Sequence, residues 1–108
     1  MGAIMELIVH VVHCKKYEGD DAIYVGRPSP LGNPFTVKQH GHGTAIDLYK
    51  QWLNLQYSTN NRRVIDELDR LAYMLKKDGE IVLSCWCAPK PCHADLIAQA
   101  ITKLATQS

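Results

Sequence analysis

The stretch LSCWCAPKPCHADLIA, residues 83–98, holds three of the chain's four cysteines and one of its five histidines within nine positions. Thiolates and imidazoles bind metals, attack electrophiles and move protons. The spacing therefore raises four alternatives: a metal site, a reactive thiol, an anion-binding turn, or a buried strand end that uses cysteine as a small apolar residue. On a strand, side chains two apart share a face, so Cys85 and Cys87 point one way and Ser84 and Trp86 the other. Cys92 and His93 return after four residues that include two prolines, and Cys85, Cys87, Cys92 and His93 are the set that would close a Cys3His site. Zinc is the cofactor such a set would take. Against it, the usual short metal turn is Cys-x-x-Cys, and two adjacent ligands would both have to bend toward one ion. A Cys85–Cys87 disulfide is disfavoured, because same-face strand neighbours hold their Cα atoms about 6.5 to 7 Å apart, at the edge of what a bridge spans.

The segment also starts a helix near Cys92. The free amides and positive dipole end of that helix favour a phosphate, a carboxylate or the Cys92 thiolate. Asp95 falls at the third helical position, where it either completes a capping interaction or serves as a catalytic carboxylate. Cys92, His93 and Asp95 are accordingly the candidates for nucleophilic or acid-base chemistry.

A second unusual stretch, GRPSPLGNPF at residues 26–35, places three prolines and two glycines in ten positions, which excludes a helix interior or a central strand. It offers Arg27 for a bidentate anion contact, Ser29 as a hydroxyl, exposed amides around Gly32, and Asn33 as an amide reader. The plain alternative is a rigid turn whose prolines only shape the chain. The glycines are too sparse for a Walker loop, and there is no G-x-G-x-x-G.

The elements that must position these loops follow from periodicity. Residues 5–12 are dense in Ile, Leu and Val, which predicts a strand buried on both faces, with His10 a satisfied core residue. Residues 14–21 read as a loop and 22–25 as a short strand ending at Gly26. After the polar KQHGHG, Thr44 is placed to cap a helix that runs to about Tyr57, with Asp47 three residues on. Tyr49 and Trp52 are read as core within it. Asn61 is placed to cap a second helix with Val64, Ile65, Leu68, Leu71, Ala72 and Leu75 on one stripe, closed by Lys76, Lys77 and Gly79. Residues 81–86 resume as a strand, and the final helix carries Leu96, Ile97, Ala100, Ile101 and Leu104 on one face. Long helices between strands predict a small α/β domain with a largely parallel central sheet flanked by helices. In such sheets ligands bind at the carboxyl ends of the strands, and both unusual loops leave such ends.

With 108 residues, the chain is read as one domain, since a second core would need roughly 50 residues more. An apolar fraction of 46% with 21% charged is that of a globular protein, and a net charge of +1 argues against nucleic acid as partner. The opening lacks the basic start and cleavage pattern of a signal peptide, and no run reaches the ~20 apolar residues of a membrane helix. We expect a cytoplasmic protein whose clustered thiols stay reduced.

The paired motifs YVGRPSPLGNPF and LSCWCAPKPCHADLIA, with the helix IDLYKQWL between them, resemble the phage and bacterial family catalogued as domain of unknown function 4326. The resemblance spans residues 23–101. It implies that Arg27, Ser29, Gly32, Asn33, Cys85, Cys87, Cys92, His93 and Asp95 form one site, without naming a reaction. The family pattern has glycine where this chain has Ala94. The Cys, Pro, Cys-His segment is similar, more weakly, to a second α/β family, catalogued as domain of unknown function 488.

The function these features favour is binding of a nucleotide or phosphosugar, a phosphate-bearing small molecule. Its enzymatic version is a hydrolase or transferase acting on a nucleotide or nucleoside at the glycosidic bond. The rival is a small protein-interaction module, metal-stabilised or metal-free, without catalysis.

Overall fold

The computed structural model describes residues 6–88 and 92–107. Met5, expected to begin the first strand, and the two prolines before Cys92 lie outside the described residues. The elements are β1 (Ile8–His13), β2 (Ala22–Tyr24), α1 (Val37–His40), α2 (His42–Ser58), α3 (Arg62–Asp78), β3 (Glu80–Cys85) and α4 (His93–Gln107). The three strands form one all-parallel sheet in the order β1-β3-β2.

The late strand β3 is therefore the centre of the sheet, and residues 81–85 are buried without a break. The early strand is an edge strand, with side chains that are exposed or half-buried. This corrects the expectation of a first strand buried on both faces: among the described residues, one flank has no neighbour to pair with. His10 is likewise not a core residue. It is exposed and meets Glu80 through Nε2 at 2.9 Å.

One sheet face carries Val9, Val11, Ile23, Ile81, Leu83 and Cys85, and these join a single core with the buried stripes of the helices. Within that core Leu68, Leu71 and Leu75 of α3 and Ile97 and Ile101 of α4 are fully buried. The other face shows Ile8 and Tyr24 to solvent. α3 and α4 pack on the sheet because their apolar stripes and this face are the surfaces that most need covering.

Local signals account for some helix ends and not for others. At the carboxyl end of α3, Gly79 takes a left-handed φ of 83° and its amide donates to the Leu75 carbonyl at 2.8 Å, with Lys76 and Lys77 in the last turn. Asn61 occupies the N-cap position of α3, but its side-chain amide donates to Gln56 Oε1 at 2.6 Å instead of capping. Thr44 does not cap α2, which begins two residues earlier with Gly41 as N-cap. The difference arises upstream, where Thr36 Oγ1 accepts from the Gln39 amide at 3.2 Å and starts the short α1. The T-x-x-Q spacing of a capping box was there to find.

Replacing Leu68, which is wholly buried, with Ala leaves a void in the core. Urea unfolding should show a loss of about 2 to 5 kcal/mol with an unchanged m-value.

Candidate functional site

Because the strands are parallel, Tyr24 at the end of β2 and Cys85 at the end of β3 leave the sheet at one rim. The Val25 amide donates to the Ser84 carbonyl at 3.0 Å, extending that pairing by one residue before the chain turns at Gly26. The loop that follows is tightly tied. The Ser29 amide donates to the Gly26 carbonyl at 2.8 Å across a cis Arg27–Pro28 peptide, and the Gly32 amide donates to the Ser29 carbonyl at 2.9 Å. Ser29 Oγ accepts from the Leu31 amide, so the hydroxyl serves the loop itself. Gly32 lies against Arg27, where a Cβ would come within 2.8 Å of the Arg27 nitrogen. Only a residue without a side chain lets the two ends of the loop meet this closely.

Asn33 closes the loop onto α2. Its Oδ1 accepts from the Phe35 amide at 2.9 Å and its Nδ2 donates to the Ala45 carbonyl at 3.2 Å. Both ends of the amide are thus engaged within the protein. Tyr49, fully buried, donates its hydroxyl to the Leu31 carbonyl at 2.7 Å and stands edge-on to the His93 ring with centroids 5.1 Å apart. Burial holds the Tyr49 phenol well above its ordinary pKa, so it stays a neutral donor.

The second loop meets the first at His93. His93 Nε2 lies 2.8 Å from the Val25 carbonyl and must carry the proton, which leaves Nδ1 as acceptor, 3.3 Å from Cys92 Sγ. Burial pushes His93 below its ordinary 6.5, the Arg27 charge acts the same way, and the Val25 carbonyl partly offsets them. Cys92 Sγ also donates to Cys85 Sγ at 2.9 Å. The Cys92 thiol and the amides of Cys87 and Ala88 draw the Cys85 pKa down, whereas Cys92, as the donor, is pushed up. Of the two, Cys85 is the sulfur that gives up its proton more readily.

Asp95 Oδ2 accepts from the Cys92 amide at 2.9 Å, and the Asp95 amide donates to the Cys92 carbonyl at 3.0 Å, a reciprocal cap on α4. The strand ends at Cys85, so the alternation that placed Cys87 beside it does not continue; the chain curls and the Cys87 amide faces the Cys85 sulfur. Among the described residues, no three His, Cys, Asp or Glu side chains converge as metal ligands. Of the quartet, Cys85, Cys92 and His93 lie together, with the two sulfurs 2.9 Å apart and His93 Nδ1 3.3 Å from Cys92 Sγ, while His93 Nε2 is turned to Val25 and Cys85 is sealed in the core.

Between the loops lies an open cleft of about 400 Å³. Tyr24, Gly26 and Arg27 line one side, and Asn33, Phe35, Ala45 and Ile46 another. Trp86, Cys87, Cys92 and His93 complete it. Arg27 is exposed and makes no hydrogen bond among the described residues, so its guanidinium is available to an anion. Trp86 is 56% exposed, and its indole N–H donates to the Tyr24 hydroxyl at 3.0 Å. Lys15 Nζ sits 5.5 Å from the Trp86 ring centroid and His13 packs against the same ring. Tyr24, Phe35 and Trp86 are the site residues that motif spacing missed. An exposed tryptophan directly after a buried strand was the available signal.

Two measurements follow. Tyr49→Phe strips the Leu31 carbonyl of its buried donor, and thermal unfolding should show a loss of about 1 to 3 kcal/mol. Since His93 is held neutral in the fold, the unfolded chain binds a proton near its ordinary 6.5 that the folded chain refuses. The associated stability is complete above that value and is lost as pH falls below it. Melting temperatures between about pH 7.5 and 5.5 should therefore decline in the parent protein and decline less in His93→Gln.

The model of one protein family, described as Domain of unknown function (DUF4326), matches residues 9–103, a span that contains both loops and every residue of the cleft. No curated protein and no solved structure matches the chain.

Proposed function

The chain belongs to that family, and on the chemistry of the cleft we propose that it binds a nucleotide or phosphosugar. The observation that carries this is the pairing of Trp86 with Tyr24 at the mouth of the cleft, on the same rim as the uncommitted Arg27. A flat aromatic surface offers stacking to a ring, and a guanidinium offers a bidentate contact to phosphate. The remaining walls, from Phe35, Ala45 and Ile46, are apolar, and a cleft of about 400 Å³ is within the range of small-molecule sites.

Binding is better supported here than catalysis. Hydrolysis or transfer at a glycosidic bond would need an imidazole or carboxylate facing the ligand. His93 and Asp95 are spent on the Val25 carbonyl and the Cys92 amide, and Cys92 is 2% exposed. We place this activity in the cytosol, where the cleft's thiols remain reduced.

Isothermal titration against nucleoside phosphates, ribose 5-phosphate and inorganic phosphate tests the proposal. Arg27→Ala should weaken every phosphate-bearing ligand by roughly 10- to 150-fold, the value of a charged hydrogen bond. Trp86→Ala should weaken nucleotides by a similar factor, through about 1 to 3 kcal/mol of stacking, and ribose 5-phosphate much less. Absence of binding by all of these compounds, or Arg27→Ala behaving as the parent does, would overturn it.

A further inference from the structure

The nucleotide proposal makes no use of the most unusual contact in the protein. Cys85, the last residue of β3, and Cys92, the cap of α4, bring their sulfurs to 2.9 Å, well inside the van der Waals separation of two sulfurs. Both are free cysteines, 1% and 2% exposed. The surroundings favour negative charge on Cys85, to which the amides of Cys87 and Ala88 donate, whereas the Cys85 hydrogen bond and burial keep the proton on Cys92. His93 Nδ1, which carries no proton of its own, lies 3.3 Å from the Cys92 sulfur. The two thiols differ in access: Cys92 borders the cleft, whereas Cys85 lies behind it.

We infer that Cys85 and Cys92 are a redox pair that a hydroperoxide entering the cleft converts to a disulfide. With Cys85 as the deprotonated partner, Cys92 passes to it the proton of their hydrogen bond, and the Cys92 thiolate attacks one oxygen of hydrogen peroxide. The S–O bond forms as the O–O bond breaks, and the departing hydroxide takes the proton from Cys85 and leaves as water. Cys92 is now a sulfenic acid. Cys85, as thiolate, attacks the Cys92 sulfur; the S–S bond forms, the S–O bond breaks, and the hydroxide leaves as water with a proton from solvent. Two sulfurs are oxidised, one peroxide is reduced, and two thiols with one peroxide yield one disulfide and two waters. The bond would join the end of β3 to the start of α4 and remove the thiol proton of Cys92.

The test uses the whole chain, reduced and then treated with hydrogen peroxide. Remaining thiols are alkylated and the protein is cleaved after Trp86, which separates Cys85 from Cys87 and Cys92. Mass spectrometry should show loss of two hydrogens from the intact protein and a linkage between the Cys85 and Cys92 peptides. The same linkage should form in Cys87→Ser, and dithiothreitol should reverse it. A linkage through Cys87 or Cys14, its loss in Cys87→Ser, or oxidation of Cys92 to sulfinic acid without a linkage would overturn the inference.

Discussion

His93 donates Nε2–H to the Val25 carbonyl at 2.8 Å, and the relation of the two loops depends on that bond. Val25 ends the run of β2 and its amide is held by Ser84 of β3, while His93 opens α4. The bond therefore ties the start of the last helix to the point where the proline-rich loop departs. Tyr49 continues the connection, touching the His93 ring with its own and the Leu31 carbonyl with its hydroxyl. Sheet, loop, α2 and α4 are joined through two buried polar side chains whose donors are satisfied. In a dry interior such bonds are strong when complete and costly when broken, which fixes one geometry rather than a family of them.

The same arrangement assigns the polar residues their tasks. Imidazole and carboxylate look like reaction chemistry when read as letters, and here they hold the scaffold. Asp95 caps and His93 bridges, while Cys92 donates to Cys85. Beside Cys87, Cys92 and His93, the cleft presents groups of another kind: the Arg27 guanidinium, which makes no hydrogen bond among the described residues, and an aromatic wall. A rigid interior presenting a few free groups at a sheet rim is a common design for recognition, because the ordering of those groups has already been achieved during folding.

How much of this was legible depended on how local each cause is. The stripe of α3 and its Gly79 ending could be read directly, since a helix face and a left-handed cap each depend on neighbours within a few residues. The meeting of both loops at one rim followed from parallel strands alone. The edge position of β1 was not legible, because apolar density cannot report which strand pairs with which. The Tyr24–Trp86 contact joins residues 62 positions apart, beyond any spacing rule. For Cys87 the reach of the sequence is shorter: alternation holds only while the strand lasts, and the strand stops at Cys85. Asn33 and Ser29 were chosen for their polar atoms, and those atoms are engaged by the loop and the start of α2.

The central claim is that the rim of the sheet, not another surface, is where a phosphate-bearing ring compound binds. Amide chemical shifts of nitrogen-15-labelled protein titrated with a nucleoside monophosphate test this most directly. Saturable shifts centred on Tyr24, Gly26, Arg27, Trp86 and Cys87, together with the Trp86 indole signal, are predicted. Shifts centred instead on the groove between α2 and α4, lined by Leu53, Tyr57, Leu96 and Lys103, or no saturable shift at all, would contradict it.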